Sequence, residues 1–90
     1  MSPAPPRVSF VVPAWNEAAE LGGTLTAIHT AARAVGLGDS FETIVVDDDS
    51  TDATAAIARD AGARVIGVSL RQIAAVRNAG AAEARGRVLV

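Results

Sequence analysis

Short apolar runs alternate with segments of helical period along this 90-residue chain, and this alternation constrains the fold more than any other feature. The runs predict buried strands at residues 8–12, 41–46, 65–68 and 88–90. Between the first two runs, apolar residues recur at spacings of three and four, which predicts an amphipathic helix: Leu21, Leu25, Ile28, Ala32 and Val35. Two further helices are predicted over residues 54–61 and from residue 73 to near residue 86. Strands that alternate with helices through short connections predict an α/β fold with a parallel sheet and right-handed crossovers.

Composition excludes several classes of function. The chain has no Cys, and all eight basic residues are Arg, so thiolate metal sites, cysteine nucleophiles and Schiff-base lysines are absent. A net charge of −2 gives no broad cationic surface for nucleic acid. No apolar stretch approaches the length of a membrane span, and the start resembles no signal peptide. We therefore expect a cytoplasmic protein without a nucleic-acid partner.

The two ends of the chain differ in character. Residues 1–7 contain three prolines and predict a flexible leader. Residues 8–90 form the predicted folded part. Because the chain stops inside an apolar strand, we interpret Val90 as a truncation point.

Polar clusters follow the first two predicted strands. Residues 13–17 (Pro-Ala-Trp-Asn-Glu) come after the first strand, and the acidic residues 47–52 come after the second. Ligands of open parallel sheets bind beyond the carboxyl ends of the strands. If the two strands are neighbours, both clusters line one crevice.

These segments, followed by Arg77-Asn78-Ala79-Gly80, resemble in type and order the opening of the family two inverting glycosyltransferases. The resemblance covers roughly residues 8–90. It implies a Rossmann-like arrangement of βαβ units that forms the front half of a GT-A domain. It also implies a whole protein that transfers a sugar from a UDP- or GDP-linked donor to an acceptor hydroxyl with inversion.

The resemblance assigns donor-binding roles to individual residues. Pro13, Ala14 and Glu17 are expected to shape the nucleoside pocket, and Asp48 to accept a hydrogen bond from a ring N–H of the base. Arg77 is expected to pair with phosphate or to have a structural partner. The resemblance implies no catalytic residue and no metal ligand within these 90 residues. A Mg²⁺ or Mn²⁺ ion is expected in the parent enzyme, held by residues beyond Val90.

Structural roles compete with these assignments. Ser50 and Asp52 are predicted to cap the second helix, where side-chain oxygens satisfy free backbone N–H groups. Glu17 is equally compatible with a solvated residue near the start of the first helix. Trp15 is predicted to be a packing lid over the crevice, and Gly80 to let the third helix approach the sheet closely.

Two alternative functions remain open. The first is a phosphatase of the haloacid-dehalogenase type, with Asp47 as nucleophile and Asp49 as general acid; the absence of Lys argues against it. The second is a non-catalytic nucleotide-binding or assembly module. An open sheet edge in such a module predicts a homo-oligomer. If the parent enzyme has downstream membrane helices, its expected location becomes the cytoplasmic face of a membrane.

Overall fold

A computed structural model of the chain describes residues 5–90 and contains one parallel four-stranded sheet with three helices. The strands are β1 (Val8–Ala14), β2 (Phe41–Asp48), β3 (Arg64–Val68) and β4 (Val88–Leu89), and the helices are α1 (Leu21–Ala34), α2 (Thr54–Asp60) and α3 (Ile73–Glu83). The sheet order is β3-β2-β1-β4. The predicted α/β fold with a parallel sheet is confirmed, and the predicted elements differ from the observed ones only at their ends.

The strand order explains how the helices are distributed. The chain steps from β1 to β2 to β3 in one direction and then returns across the sheet to β4. Because parallel crossovers are right-handed, the returning α3 lies on the opposite face from α1 and α2. Two separate apolar clusters reflect this, one beneath α1 and α2 and one beneath α3.

The core is centred on β2, which is paired on both sides. Ile44, Val45 and Val46 are fully buried. Their side chains alternate between faces, so Val45 packs in the cluster beneath α1 and α2, and its two neighbours pack against Val76 of α3. Burying a side chain of this size contributes about 1.5–3 kcal/mol. The buried central strand therefore fixes the positions from which the loops at the carboxyl edge of the sheet begin.

Strand β1 continues through Pro13, although proline was predicted to end the run at residue 12. The Val11 N–H donates to the Val90 carbonyl, and the Ser9 carbonyl accepts from the Val90 N–H, so odd-numbered residues of β1 face β4. Pro13 lies beyond the last of these bonds. Its missing N–H is on the β4 side, so the pairing of β1 with β2 runs on through Pro13 and Ala14.

Helix α3 approaches the sheet closely at Gly80, as predicted. An added Cβ at this position would lie 2.6 Å from Cγ2 of Val46 and closer still to Cγ1 of Val11. Only glycine fits at this separation. The close approach carries the first turn of α3 down onto the carboxyl edge of β2.

A polar network closes the amino edge of the sheet. Glu42 accepts hydrogen bonds from the Ser9 hydroxyl at 2.6 Å, the Arg64 guanidinium at 2.7 Å and the Arg85 amide at 2.8 Å. Burial alone would raise the pKa of Glu42, but the bonds from Ser9, Arg85 and Arg64 together lower it below its ordinary value. The network ties the segment before β4 to the first three strands.

The predicted flexible leader falls partly outside the described residues, since residues 1–4 lie there. Arg7 is hydrogen-bonded on both sides: its N–H donates to the Ser40 carbonyl at 2.9 Å, and its carbonyl accepts from the amides of Arg87 and Val88. Arg7 is therefore held by the fold, and the flexible leader over residues 1–7 otherwise stays a prediction. Among the described residues, no helix is long and apolar enough to cross a membrane.

Candidate functional site

A cavity of about 170 Å³ opens at the carboxyl edge of β1 and β2. Its lining comprises Pro13, Ala14, Trp15, Glu17, Asp48, Ile73 and Val76. Four of the five residues predicted to bind the donor are brought together here, and only Arg77 is not. Ligand sites for drug-sized molecules measure about 300–1,000 Å³, so this cavity holds only part of a molecule of that size.

The first wall of the cavity comes from the end of β1 and the turn that follows it. Pro13 is half-buried and Ala14 is buried. Glu17 is half-buried, and its carbonyl accepts the amides of Glu20 and Leu21 at 3.0 and 2.8 Å, which starts α1. Glu17 thus lines the cavity, and its carbonyl also accepts the first hydrogen bonds at the start of α1.

Asp48, the last residue of β2, forms the opposite wall. Its carboxylate accepts the Leu70 N–H at 2.8 Å and the Arg71 N–H at 3.0 Å. The Arg71 N–H is shared between the two oxygens, 3.4 Å from Oδ1 and 3.0 Å from Oδ2, and the Leu70 N–H binds Oδ1. Because an ionised carboxylate has about four lone-pair sites, Oδ2 keeps acceptor capacity. Asp48 therefore anchors the loop between β3 and α3 and can still accept an N–H from a ligand. Sequence reasoning missed these two amides, since backbone donors leave no signal in a sequence.

Apolar side chains complete the cavity. Val76 is buried, whereas Trp15 and Ile73 are 60% and 64% exposed. The predicted lid role of Trp15 is consistent with its place in the lining, but most of its ring faces solvent. Exposed apolar groups beside a small cavity can bury further surface when a flat ligand enters.

The loops after β1 and β2 are joined by hydrogen bonds from side chains. The Glu17 N–H donates to the Thr54 hydroxyl at 2.9 Å, and the Ala18 N–H donates to the Asp52 carboxylate at 3.2 Å. Closer to the cavity, Asn16 is bonded to Ser50 and to Thr51. These contacts continue the connection between the strands beyond the last ladder pair.

The capping prediction is wrong for Ser50 and only partly correct for Asp52. The N-cap of α2 is Ala53, without a side-chain cap bond, and Ser50 accepts an N–H from the other loop. Asp52 accepts the N–H of Thr54, the first residue of α2, at 3.0 Å. The Thr54 hydroxyl also donates to Asp52, and this bond is the largest cause of the lowered pKa of Asp52. Burial acts in the opposite direction and raises the pKa, whereas the bonds from the Thr54 and Ala18 amides lower it further.

Backbone strain is concentrated around the cavity. Asn16, Asp49 and Arg71 have left-handed backbones, with φ of 49°, 61° and 55°. Such conformations cost on the order of 1–3 kcal/mol each and cluster at functional sites. Each of the three lies in a loop that meets the cavity.

The acidic loop does not fit a divalent cation. Asp48 and Asp52 are engaged as above, Asp47 accepts the Ser50 N–H at 3.2 Å, and Asp49 lies 3.5 Å from the Arg71 guanidinium. Over residues 5–90, no group of three or more metal-ligating side chains converges. The phosphatase alternative needs Asp47 at the reacting centre, whereas Asp48 is the carboxylate of this loop that lines the cavity.

Arg77 lies on α3, next to Val76 in sequence, and is exposed. It does not line the cavity, so the structure does not bring it together with the other four predicted residues. Its pairing with phosphate stays a prediction. Arg71 is the cation that lies in the loop bound by Asp48.

Comparison with known proteins agrees with this geometry. The model of the family described as glycosyl transferase family 2 matches residues 9–90. Glucosyl-3-phosphoglycerate synthase from Mycobacterium tuberculosis is similar at 39% identity over 69% of this chain and 21% of its own, with a TM-score of 0.55. Its structures include one with Mn²⁺ and UDP-glucose.

A second similar structure covers more of the chain. The mannosyltransferase PcManGT from Pyrobaculum calidifontis, in complex with GDP-Man and Mn²⁺, is 25% identical over 96% of this chain and 26% of its own, with a TM-score of 0.68. The chain thus spans about a fifth to a quarter of the length of these enzymes. No curated protein matches the chain. The family match over nearly the whole sequence shows that this chain belongs to glycosyl transferase family 2.

Proposed function

We propose that the cavity binds the nucleoside of a nucleotide-diphosphate sugar, and that the whole protein transfers the sugar to an acceptor hydroxyl with inversion. The carrying observation is that Pro13, Ala14, Glu17 and Asp48 line one cavity at the carboxyl edge of the sheet. Ligands of open parallel sheets bind at this edge. The size of the cavity suits a base better than a whole nucleotide sugar.

The chemistry of Asp48 favours uracil and guanine. An ionised carboxylate only accepts hydrogen bonds, and both of these bases carry a ring N–H. The ring nitrogens of cytosine and adenine are acceptors and would face Asp48 unpaired. The two similar enzymes are seen with UDP-glucose and with GDP-Man, whose bases belong to the favoured pair.

The diphosphate requires positive charge that the cavity lacks. Glu17 and Asp48 line it, and the neighbouring acidic loop adds further carboxylates. Like charges in close proximity disfavour binding, so a cation has to offset them. Both similar enzymes are seen with Mn²⁺. We therefore keep a Mg²⁺ or Mn²⁺ ion for the whole enzyme, held by residues outside these 90, with Arg77 as a further phosphate partner.

These residues are assigned binding and orientation, and no bond-breaking step. Asp48 fixes the edge of the base, the segment from Pro13 to Glu17 closes the pocket wall, and Ile73 and Trp15 exclude water from the base. The general base that activates the acceptor hydroxyl belongs to another part of the whole protein.

Substitution of Asp48 tests the proposal. Asp48→Ala leaves a base N–H unpaired in the cavity, which costs about 1–3 kcal/mol of nucleotide affinity. The matched control is Asp49→Asn, since Asp49 lies next in sequence but does not line the cavity, and asparagine tolerates its left-handed backbone. Isothermal titration with UDP and GDP, and with CDP and ADP as base controls, measures the effect. Equal affinity of Asp48→Ala and wild type for UDP and GDP would remove Asp48 from the base pocket.

A non-catalytic assembly module remains the alternative, and one observation favours self-association. An almost wholly apolar groove of about 500 Å³ is lined by residues that include Phe10, Val12 and Ile28. A second copy that pairs with β4 would cover this surface. A constant monomeric mass in light scattering over a wide range of concentrations would contradict this.

Location stays a separate proposal. We keep the cytoplasm, or the cytoplasmic face of a membrane, as the expected location of the whole protein. Fractionation of cells that express the protein from its own gene tests it, and recovery from outside the cell would contradict it.

A further inference from the structure

The pairing of β1 with β2 ends at Ala14 and Asp47, just where the cavity begins. Beyond this pair, Asn16 joins the two loops with both its backbone and its side chain. Its N–H donates to the Ser50 hydroxyl at 2.9 Å, and its Oδ1 accepts the Thr51 N–H at 2.9 Å and the Thr51 hydroxyl at 3.4 Å. We refer to Asn16, Ser50 and Thr51 as the loop clamp.

The residue type of Asn16 matches both demands of its position. Its φ of 49° is left-handed, which glycine, asparagine and aspartate tolerate better than other residues. Of these three, only asparagine and aspartate carry an oxygen that can accept the Thr51 N–H. An alanine at this position meets neither demand.

The loop clamp joins the two walls of the cavity. Asn16 lies between Trp15 and Glu17, which belong to one wall, and Thr51 lies three residues after Asp48, which belongs to the other. A second set of bonds, from the amides of Glu17 and Ala18, holds the starts of α1 and α2 together farther along. We expect this second set to keep the two loops joined when the loop clamp is removed.

We propose that Asn16 is a positioning residue for the nucleoside: by holding the two walls at a fixed separation it pre-organises the base pocket without touching the reacting atoms. The inference rests on the proposed function. A pre-organised pocket binds more tightly because less ordering remains to be done on binding. Asn16 and Thr51 are exposed, so the loop clamp buries little surface and acts on geometry more than on stability.

Three variants separate the two demands on Asn16. Asn16→Ala removes the acceptor and strains the backbone, Asn16→Gly keeps the backbone and removes the acceptor, and Asn16→Asp keeps both. Uridine and guanosine are the probes, because they are uncharged and the extra carboxylate of Asn16→Asp does not repel them through phosphates. Trp15 lines the cavity and is the only Trp in a sequence without Tyr, so the intrinsic fluorescence of the chain reports binding directly.

The expected order of affinity is clear. Asn16→Ala weakens the better-bound nucleoside roughly tenfold, Asn16→Gly weakens it severalfold, and Asn16→Asp stays within about twofold of the wild type. Thermal unfolding of each variant shows whether the fold is intact. A purely structural role would lower the unfolding temperature of Asn16→Gly without this graded loss and recovery of affinity.

Each other outcome is informative. Unchanged affinity of a folded Asn16→Gly, or failure of Asn16→Asp to recover affinity, overturns the inference. If Asn16→Ala does not fold, the Gly and Asp variants still decide. Failure of the wild type to bind either nucleoside would instead refute the proposed function itself, and the two failures are therefore distinguishable.

Discussion

Replacing Gly80 by alanine is expected to destabilise the protein even though alanine is the better helix former. Gly80 is buried at the contact of α3 with β1 and β2. Its added Cβ would lie 2.6 Å from Cγ2 of Val46. Non-bonded carbon atoms prefer about 3.5–4.0 Å, so α3 or the strand has to move by about 1 Å.

The magnitude follows from comparison with a glycine that has free space. Gly23 lies in α1 with no atom within 4 Å of an added Cβ. Both substitutions gain helix propensity, up to ~1 kcal/mol each. Only the one at Gly80 overpacks the core, at ~1–3 kcal/mol. The free energy of unfolding of Gly80→Ala should therefore lie below that of Gly23→Ala by about 1–3 kcal/mol.

Thermal unfolding followed by circular dichroism measures the difference. For a domain of this size, 1 kcal/mol corresponds to about 4–8 °C in Tm. The displaced α3 also carries Ile73 and Val76 away from the cavity, so Gly80→Ala is expected to weaken nucleotide binding and Gly23→Ala to leave it unchanged. Equal stability of the two variants would refute the close-approach argument.

Three further predictions follow from single residues. Because the folded-state pKa of Glu42 is lowered, the stabilisation by its carboxylate is present above the ordinary pKa of 4.5 and is lost as the pH falls through the folded pKa. Glu42→Gln should therefore be less stable than the wild type at pH 7 and lose less stability on acidification. Parallel curves of unfolding free energy against pH for the two proteins would contradict this. Arg77→Ala should weaken UDP or GDP binding severalfold through the diphosphate and leave nucleoside binding unchanged, and a loss for the nucleoside as well in titrations would place Arg77 elsewhere. Gly86→Ala should destabilise by ~1–3 kcal/mol, since its Cβ would lie 2.7 Å from the Ser9 backbone nitrogen, and an unchanged Tm would be the contrary result.

The fold was predictable because each element has a local signal. Each strand run and each helical stripe lies within one continuous stretch of the sequence. The alternation of strands with helices predicts the parallel arrangement of the sheet. The end of β1 was misplaced at Pro13, since the cost of proline depends on which neighbour its N–H faces. That neighbour, β4, is 75 residues away in sequence at Val88, so the local pattern could not show it.

The site was predictable in its carboxyl-edge residues and not in their partners. Pro13 and Asp48 follow from strand ends, which sequence patterns mark well. The Leu70 and Arg71 groups that hold Asp48 are backbone amides, which leave no signal in the sequence. Ser50 was assigned to a helix cap because capping is the commonest local role of serine, yet its partner lies 34 residues away.

Asn16 carried a signal that was available. Asparagine in the loop just after a strand is a frequent choice for left-handed backbone, and a run of Ser, Thr and Asp in the opposite loop supplies partners. Combining the two would have predicted the loop clamp. Its effect on the cavity could be inferred only after the two loops were seen side by side.

Titration of the 90-residue chain with UDP and GDP, followed through Trp15 fluorescence, tests the central claim most directly. The account predicts a saturable change with UDP or GDP that CDP and ADP do not reproduce, and that Asp48→Ala weakens. A response of equal affinity to all four nucleotides, or none to any of them, would contradict the assignment of this cavity as the donor-nucleoside site.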